Sequence, residues 1–563
     1  MMKKILLGTD IFDKLIENDG YYVDKTELLY ELVEETTNEV TLFTRPRRFG
    51  KSLTMSMMES FFDIQHAESK VFDGLSIQEN HPDFCAKWMH QFPVLLISLK
   101  DVEARDYETA FKKLKAVIAD LCKKIEDLPR REGVNPADAE IFHRLMYKTA
   151  DEEEVQNSLK TIMRMMYSVY GKPVILLIDE YDVPLAKSNE NHYYHKMLDV
   201  IRGIMSTSLK SNEYLKFAVV TGCLRIPKES IFTGVNNFAS YSVLDEDFSE
   251  YFGFTQTEIE ALLKYYDRED KIDLIRSWYD GYIFGGTEIY CPWDAMSYVS
   301  DLRKRKNAMP KSYWENTSGN SAIKAFFELD NDDVTSRFEA LLNGKTITEN
   351  VTNSLTYDEA YTSINNLWSI LLMTGYVTAV NQDTNEDESV ELRIPNREIS
   401  NIFQKAVVDH FKKTVDQSRV NALIEALWNG DERQASEIMS NLLFNTISFM
   451  DYHEDYYHAF IAGIFTGKGY VPKSNREQGL GRSDVDLSDR QNRRKIIIET
   501  KKSTSEEEMD FWCDEAIKQI VERQYYKDAE GFTTVLCYGI SFFQKSAKVK
   551  LMRPEDIQKY SEK

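Results

Sequence analysis

Over the first 230 residues the apolar positions fall into short unbroken runs separated by longer amphipathic stretches. Val40-Thr41-Leu42-Phe43 and residues 92–99, 173–178 and 217–222 are apolar at nearly every position. A strand buried on both faces reads this way, so these runs predict the central strands of a parallel sheet. Leu28, Leu29, Leu32 and Val33 fall at helical spacing behind Thr26, a predicted N-cap. Residues 53–62, 107–127 and 153–169 predict further helices, the first with a Met55, Met57, Met58 stripe of the kind found in cores. The charged segment between the last two is expected to be exposed.

Beyond residue 250 the pattern changes. Thr255 and Glu258 have the spacing of a capping box and predict a helix reaching about Tyr266. Aromatic clusters at 278–282, 290–294 and 313–317 read as loops anchored by packing. Residues 328–360 are acid-rich and are expected to bridge two halves. Residues 376–380 and 390–394 are candidate strands around a solvated loop, and helices dominate 399–444. After an apolar helix at 456–466, a loop feeds an alternating strand at 484–487. A second strand follows at 496–501, then a helix carrying Ala516, Gln519, Ile520 and Tyr525. There is no internal repeat.

A chain of 563 residues is too long for one core. Its 42% hydrophobic and 29% charged residues fit a globular protein, and no run approaches the ~20 apolar residues of a membrane span. The start, Met1 to Gly8, has too short an apolar stretch for a signal peptide, so a cytoplasmic location is expected. Six scattered cysteines predict reduced core thiols rather than disulfides or a zinc site. A net charge of −23 argues against a general nucleic-acid coat, because that binding is driven by Lys and Arg. Contact with nucleic acid would need a local basic cleft.

Two stretches carry chemistry in the first half. Thr44-Arg45-Pro46-Arg47-Arg48-Phe49-Gly50-Lys51-Ser52 follows an apolar run and opens a helix. Backbone N–H groups and a helix N-terminus attract phosphate, Lys51 adds charge, and Ser52 offers a hydroxyl to Mg²⁺. The usual motif has glycine where Arg45 stands. The strand ending Ile178-Asp179-Glu180 places two carboxylates at a sheet edge: Asp179 to support Mg²⁺, Glu180 to orient and deprotonate water. The pair predicts an ATP site formed by Arg47, Arg48, Phe49, Gly50, Lys51, Ser52, Leu53 and Asp179, with Thr221 at the position of a γ-phosphate sensor. Arg225 and Asp24 are secondary candidates.

The residues YYVDKTELL, RPRRFGKSL, ILLIDEYD and TGCLRIPKESIFTGVNNF resemble the AAA-ATPase-like family of bacterial and archaeal P-loop proteins. In that family an arginine commonly stands at the position of Arg45, and the resemblance implies ATP, Mg²⁺ and a helical lid behind the ATPase core.

A second constellation lies near the end of the chain. Glu499 and Lys501, two apart on a strand, point the same way, and Asp484 converges on them if the two strands pair. Asp followed by Glu-x-Lys is the pattern of PD-(D/E)xK nucleases, with Asp484 and Glu499 as metal ligands, Lys501 beside the phosphorus and Gln519 within reach. Residues 468–502 carry more Lys and Arg than Asp and Glu, against the acidic whole. SNREQGLGRSDVDL and IIIETKK resemble the nuclease-like domain that commonly follows this ATPase-like domain.

The expected architecture is α/β throughout. A P-loop ATPase core spans 1–250, a helical lid 251–345, a mostly helical linker 346–445 and a restriction-endonuclease-like domain 446–563. The expected function is a Mg²⁺-dependent ATPase coupled to a module that cuts or binds DNA or RNA; further copies of the chain are admissible partners. The alternative is an ATP-regulated switch whose nuclease-like domain recognises a partner without cutting.

Overall fold

The computed structural model describes residues 2–226, 237–314, 344–352, 354–359, 362–381, 389–414, 417–446, 485–489, 492–529 and 531–553, with isolated positions between them. They form two compact units, residues 1–322 with 346–400 and residues 323–345 with 401–563. No described helix is long and apolar enough to cross a membrane.

The first unit is built on five parallel strands: β1 (Val40–Thr44), β2 (Val94–Ser98), β3 (Val174–Asp179), β4 (Leu215–Gly222) and β5 (Phe238–Tyr241). Their order is β2-β3-β4-β1-β5. Three of the four apolar runs became the inner strands β1, β3 and β4, covered on both faces, while the run at 92–99 became β2 at an edge of the sheet. Ile175 and Leu177 pack with Met55, Met57, Met58 and Phe61 of α1 (Lys51–Phe62) on one side. Val174, Leu176 and Ile178 pack with Leu114 and Ile118 of α2 (Tyr107–Lys124) and with Ile162 on the other. Alternate residues of one strand thus feed two different cores, which a continuous apolar run requires.

Helix boundaries follow local chemistry. The Asp106 carboxylate accepts the Thr109 N–H and starts α2 one residue later. The charged segment expected to be exposed holds a helix instead, Pro136–Met146, which buries Phe142 and Leu145. Its apolar positions are three apart, enough for a narrow buried stripe on a mostly polar helix. Thr26 is not an N-cap: its hydroxyl donates to Asp24 and accepts the Ile77 N–H.

The rest of the first unit adds α3 (Gln256–Tyr265), the hairpin of β6 (Tyr282–Phe284) and β7 (Thr287–Ile289), and α4 (Pro292–Lys304). The Thr255–Glu258 capping box is formed in both directions. A small antiparallel sheet joins β8 (Ile347–Asn350), β9 (Thr378–Asn381) and β10 (Ser389–Arg393) in the order β8-β10-β9.

The second unit centres on β11 (Val485–Asp489), β12 (Arg494–Lys502), β13 (Thr534–Phe543) and β14 (Ser546–Met552), paired in chain order. Only β12 and β13 are parallel, and α5 (Met509–Glu522) makes the crossover between them. The edge strand β14 is covered by the helix Glu432–Thr446, where the Ser436 and Ser440 hydroxyls accept the N–H groups of Val549 and Ala547 at 2.9 Å. Gly539 lets α5 lie close on the sheet, since a Cβ there would stand 2.3 Å from the Cys513 carbonyl oxygen. Gly539→Ala is expected to destabilise the second unit by about 1–3 kcal/mol, measured as an earlier urea-unfolding transition by fluorescence of the tryptophans in that unit.

Candidate functional site

The loop after β1 ends at Gly50, whose φ of +89° admits glycine readily and turns the chain into α1. Lys51 and Ser52 therefore open a helix whose N-terminus faces the carboxyl ends of the strands, where α/β sheets bind ligands. The Lys51 ammonium is buried and donates to the carbonyls of Arg45 and Pro46, both at 2.9 Å. Phe49 is buried edge-on against Tyr282 and stacks its loop onto the β6–β7 hairpin.

Arg45, where the usual motif carries glycine, turns away from the phosphate side. Its guanidinium is fully buried, donates to the carbonyls of Thr44 and Tyr241, and lies over the rings of Phe252 and Phe284 at 5.3 and 5.5 Å. Burial pulls its pKa down to about 10. The aromatic faces offset part of the cost of desolvating the cation.

Asp179 gathers the site. One oxygen accepts the Ser52 hydroxyl at 2.7 Å and the Ser98 hydroxyl at 3.4 Å; the other accepts the Thr221 hydroxyl at 2.5 Å. The predicted loop serine, strand aspartate and sensor threonine are thus in direct contact. Glu180, next along the chain, adopts a left-handed φ of +53°, and its N–H points to the Thr221 hydroxyl at 3.4 Å. Burial raises its pKa above the ordinary carboxylate value, as suits a group that accepts a proton.

A cavity of about 570 Å³ opens over these residues. Arg47, Arg48, Phe49, Gly50, Lys51, Ser52, Leu53 and Glu180 line it, as do Lys25, Phe254 and Trp293. Asp179 and Thr221 do not line it; Asp179 is joined to it through the Ser52 hydroxyl. Arg225 and Asp24 do not line it. The Arg225 carbonyl accepts the Leu355 N–H, and the Asp24 carboxylate binds the Thr26 and Ser76 N–H groups. Asp24 shapes the wall; its neighbour Lys25 reaches the cavity and is held by Glu258, the capping-box residue of α3, at 2.5 and 2.7 Å. Sequence reasoning missed Trp293, which carries the Arg48 guanidinium 4.2 Å above its ring. The aromatic cluster was visible, but nothing local tied it to a loop so far upstream.

In the second unit, β12 presents Glu499 and Lys501 on one face, with the Lys501 ammonium 3.9 Å from the Glu499 carboxylate. Gln519 of α5 donates to Glu499. Three of the four predicted residues therefore meet; Asp484 lies outside the described residues. Asp486 forms a buried ion pair with Lys495 at 2.9 Å, which sequence reasoning did not pick out. Among the described residues no group of three or more His, Cys, Asp and Glu is placed to hold a metal ion.

Comparison with known proteins matches one stretch near each end of the chain. Residues 6–232 match the family described as "Predicted AAA-ATPase", and residues 452–551 match the PD-(D/E)XK nuclease superfamily. The chain joins an AAA-ATPase-like domain to a PD-(D/E)XK nuclease-like domain. An uncharacterized protein in the vnfD 5′ region of Azotobacter chroococcum mcd 1 is 29% identical over 300 residues, 52% of this chain and 51% of the relative. The chain thus spans about half the length of that relative. The family match ends before Phe252, Phe254, Phe284 and Trp293, so part of the cavity wall, and both rings that hold Arg45, lie beyond the AAA-ATPase-like stretch.

Behind Trp293, Asp294 and Glu398 are buried side by side, and Glu398 accepts the N–H groups of Tyr313 and Trp314 at 2.5 and 2.9 Å. Burial first, then the neighbouring carboxyl, pushes Glu398 up to about 9. Its folded pKa lies above its unfolded one, so the folded state holds an extra proton and loses stability as pH rises between those values. The unit carrying the AAA-ATPase-like domain is expected to melt at progressively lower temperature from pH 5 to pH 9. Glu398→Gln should flatten that slope in a series of thermal scans.

Proposed function

We propose that the AAA-ATPase-like domain binds ATP with Mg²⁺ and hydrolyses it, and that the nuclease-like domain cuts or binds nucleic-acid phosphodiesters. The observation that carries the first half is the 2.7 Å contact of Asp179 with Ser52, which lines the cavity together with Lys51 and Glu180. A hydroxyl and a carboxylate are hard oxygen donors, the set that suits Mg²⁺. When bound, the ion would neutralise charge on the phosphate oxygens. The α1 N-terminus and Lys51 bind phosphate, Thr221 orients Asp179, and Glu180 accepts the proton of the attacking water.

In the second unit Glu499 supplies a carboxylate oxygen, Gln519 fixes its orientation and Lys501 places a cation beside it. A nuclease needs this pairing of metal ligand and lysine, and Asp484 remains the proposed second ligand. A second reading has its own support. Glu499 is only 1% exposed and accepts from Gln519, as in a domain that recognises a partner without cutting it. ATP state would then regulate binding alone.

Lys51→Ala is expected to abolish the ATP-dependent rise in thermal stability, about 2.7 kcal/mol at a ligand concentration 100-fold above Kd. Glu180→Gln should keep that rise and lose turnover by roughly 10²-fold or more. A Glu180→Gln protein that still hydrolyses ATP at the wild-type rate would remove Glu180 from the mechanism. For the nuclease-like domain, Mg²⁺-dependent cleavage of DNA or RNA by the full chain should vanish in Glu499→Ala. Binding without cleavage by the wild type would favour the switch.

A further inference from the structure

Three arginines stand within four positions of the phosphate loop, and the fold gives them three different surroundings. Arg45 is consumed by the Phe252–Phe284 box and the Tyr241 carbonyl. Arg48, with a left-handed φ of +74°, rests on Trp293 on the cavity wall. Arg47 is half-buried, lines the cavity, and makes no hydrogen bond or ion pair with any described residue.

Its neighbours locate it. The Cys223 thiol, Asp182, Glu180 and Tyr357 face the guanidinium and raise its pKa. Burial pushes the Cys223 pKa up as well, so the thiol is neutral near pH 7 and the two carboxylates provide the attraction. Asp182 is bound through one oxygen only, and its other oxygen, buried, has no hydrogen-bond partner among the described residues. The bound oxygen accepts the Cys223 and Leu224 N–H groups at 3.0 Å and the Tyr357 hydroxyl at 2.8 Å. Cys223 also lies 3.9 Å from the Lys51 ammonium. Arg47 therefore stands beside Lys51, at the end of the cavity where Glu180 is.

We infer that Arg47 is an arginine finger supplied in cis, which neutralises the charge growing on the γ-phosphate oxygens as Glu180 takes the proton from water. The inference rests on the ATPase reading above. In the step, the water oxygen bonds to the γ-phosphorus and the bond from that phosphorus to the β–γ bridging oxygen breaks. The electron pair leaves on ADP, and the proton passes to Glu180. A guanidinium offers several N–H donors in a plane, which spread over equatorial oxygens better than the point charge of Lys51. A cation held within the phosphate loop itself needs no second chain to supply one.

The test uses the full-length protein, with Arg47→Ala and Arg47→Lys beside the wild type. Both variants should still bind ADP, measured with a fluorescent nucleotide, which reports that they fold. The kcat for ATP should fall about 10²–10³-fold in Arg47→Ala and less in Arg47→Lys. Wild-type turnover per chain should stay constant on 50-fold dilution, a range chosen to dissociate weak assemblies. An Arg47→Ala protein that hydrolyses ATP within threefold of wild type overturns the inference and leaves the ATPase reading standing. Turnover per chain that falls on dilution overturns it as well, by placing the finger on another copy. A wild type that binds ATP and never hydrolyses it overturns both.

Discussion

A carboxylate buried at the end of a strand has to find hydrogen-bond donors, and at Asp179 that requirement organises the first unit. The side chain is 3% exposed, and its oxygens are met by hydroxyls from β2, from β4 and from the first turn of α1. Leaving any of these out would strand a charge in a low-dielectric interior. One of these contacts, from Ser52, also ties the first turn of α1, and with it the phosphate loop, to the sheet. Core stability and site geometry are here one problem, and a change that loosens one loosens the other.

Much of this was legible in the chain because the relevant signals are local. An unbroken apolar run ending in Asp-Glu marks a central strand and its carboxyl edge; Gly-Lys-Ser behind another such run marks the loop and helix. The capping box at Thr255 and Glu258 formed as its spacing required. The fate of Arg45 was not legible. The motif shows it only as a departure from the usual glycine, whereas its burial is decided by Phe252 and Phe284, which only the folded chain brings to it. Lys25 and Asp24 exchanged importance for the same reason. Asp24 closes a local turn, and Lys25 finds its carboxylate on α3, 233 positions away.

In the second unit the i, i+2 rule placed Glu499 and Lys501 on one face, and the helical position of Gln519 brought it onto Glu499. The Asp486–Lys495 pair escaped notice because alternation along a strand predicts which residues share a face and not which face is buried. Two opposite charges at 3% and 4% exposure sit where a sequence pattern expects apolar side chains. Such a pair contributes little net stability, but removing one partner leaves the other uncompensated.

The strand order has a consequence for how the protein is made. β1 leaves the ribosome before both of its neighbours, β4 and β5, which come from residues 215–241. At ~5–20 residues per second, that gap of roughly 200 residues lasts about 10–40 s. Throughout it the apolar strand beneath the phosphate loop has both edges open, and its pairing counts among the long-range contacts that slow folding. Final assembly waits on Glu258 and Phe284, which complete the Lys25 contact and the Arg45 box. The phosphate loop is therefore among the last parts of the first unit to become itself, and a nascent chain that ends between Thr221 and Phe284 has Lys51, Asp179 and Thr221 without the completed Arg45 box.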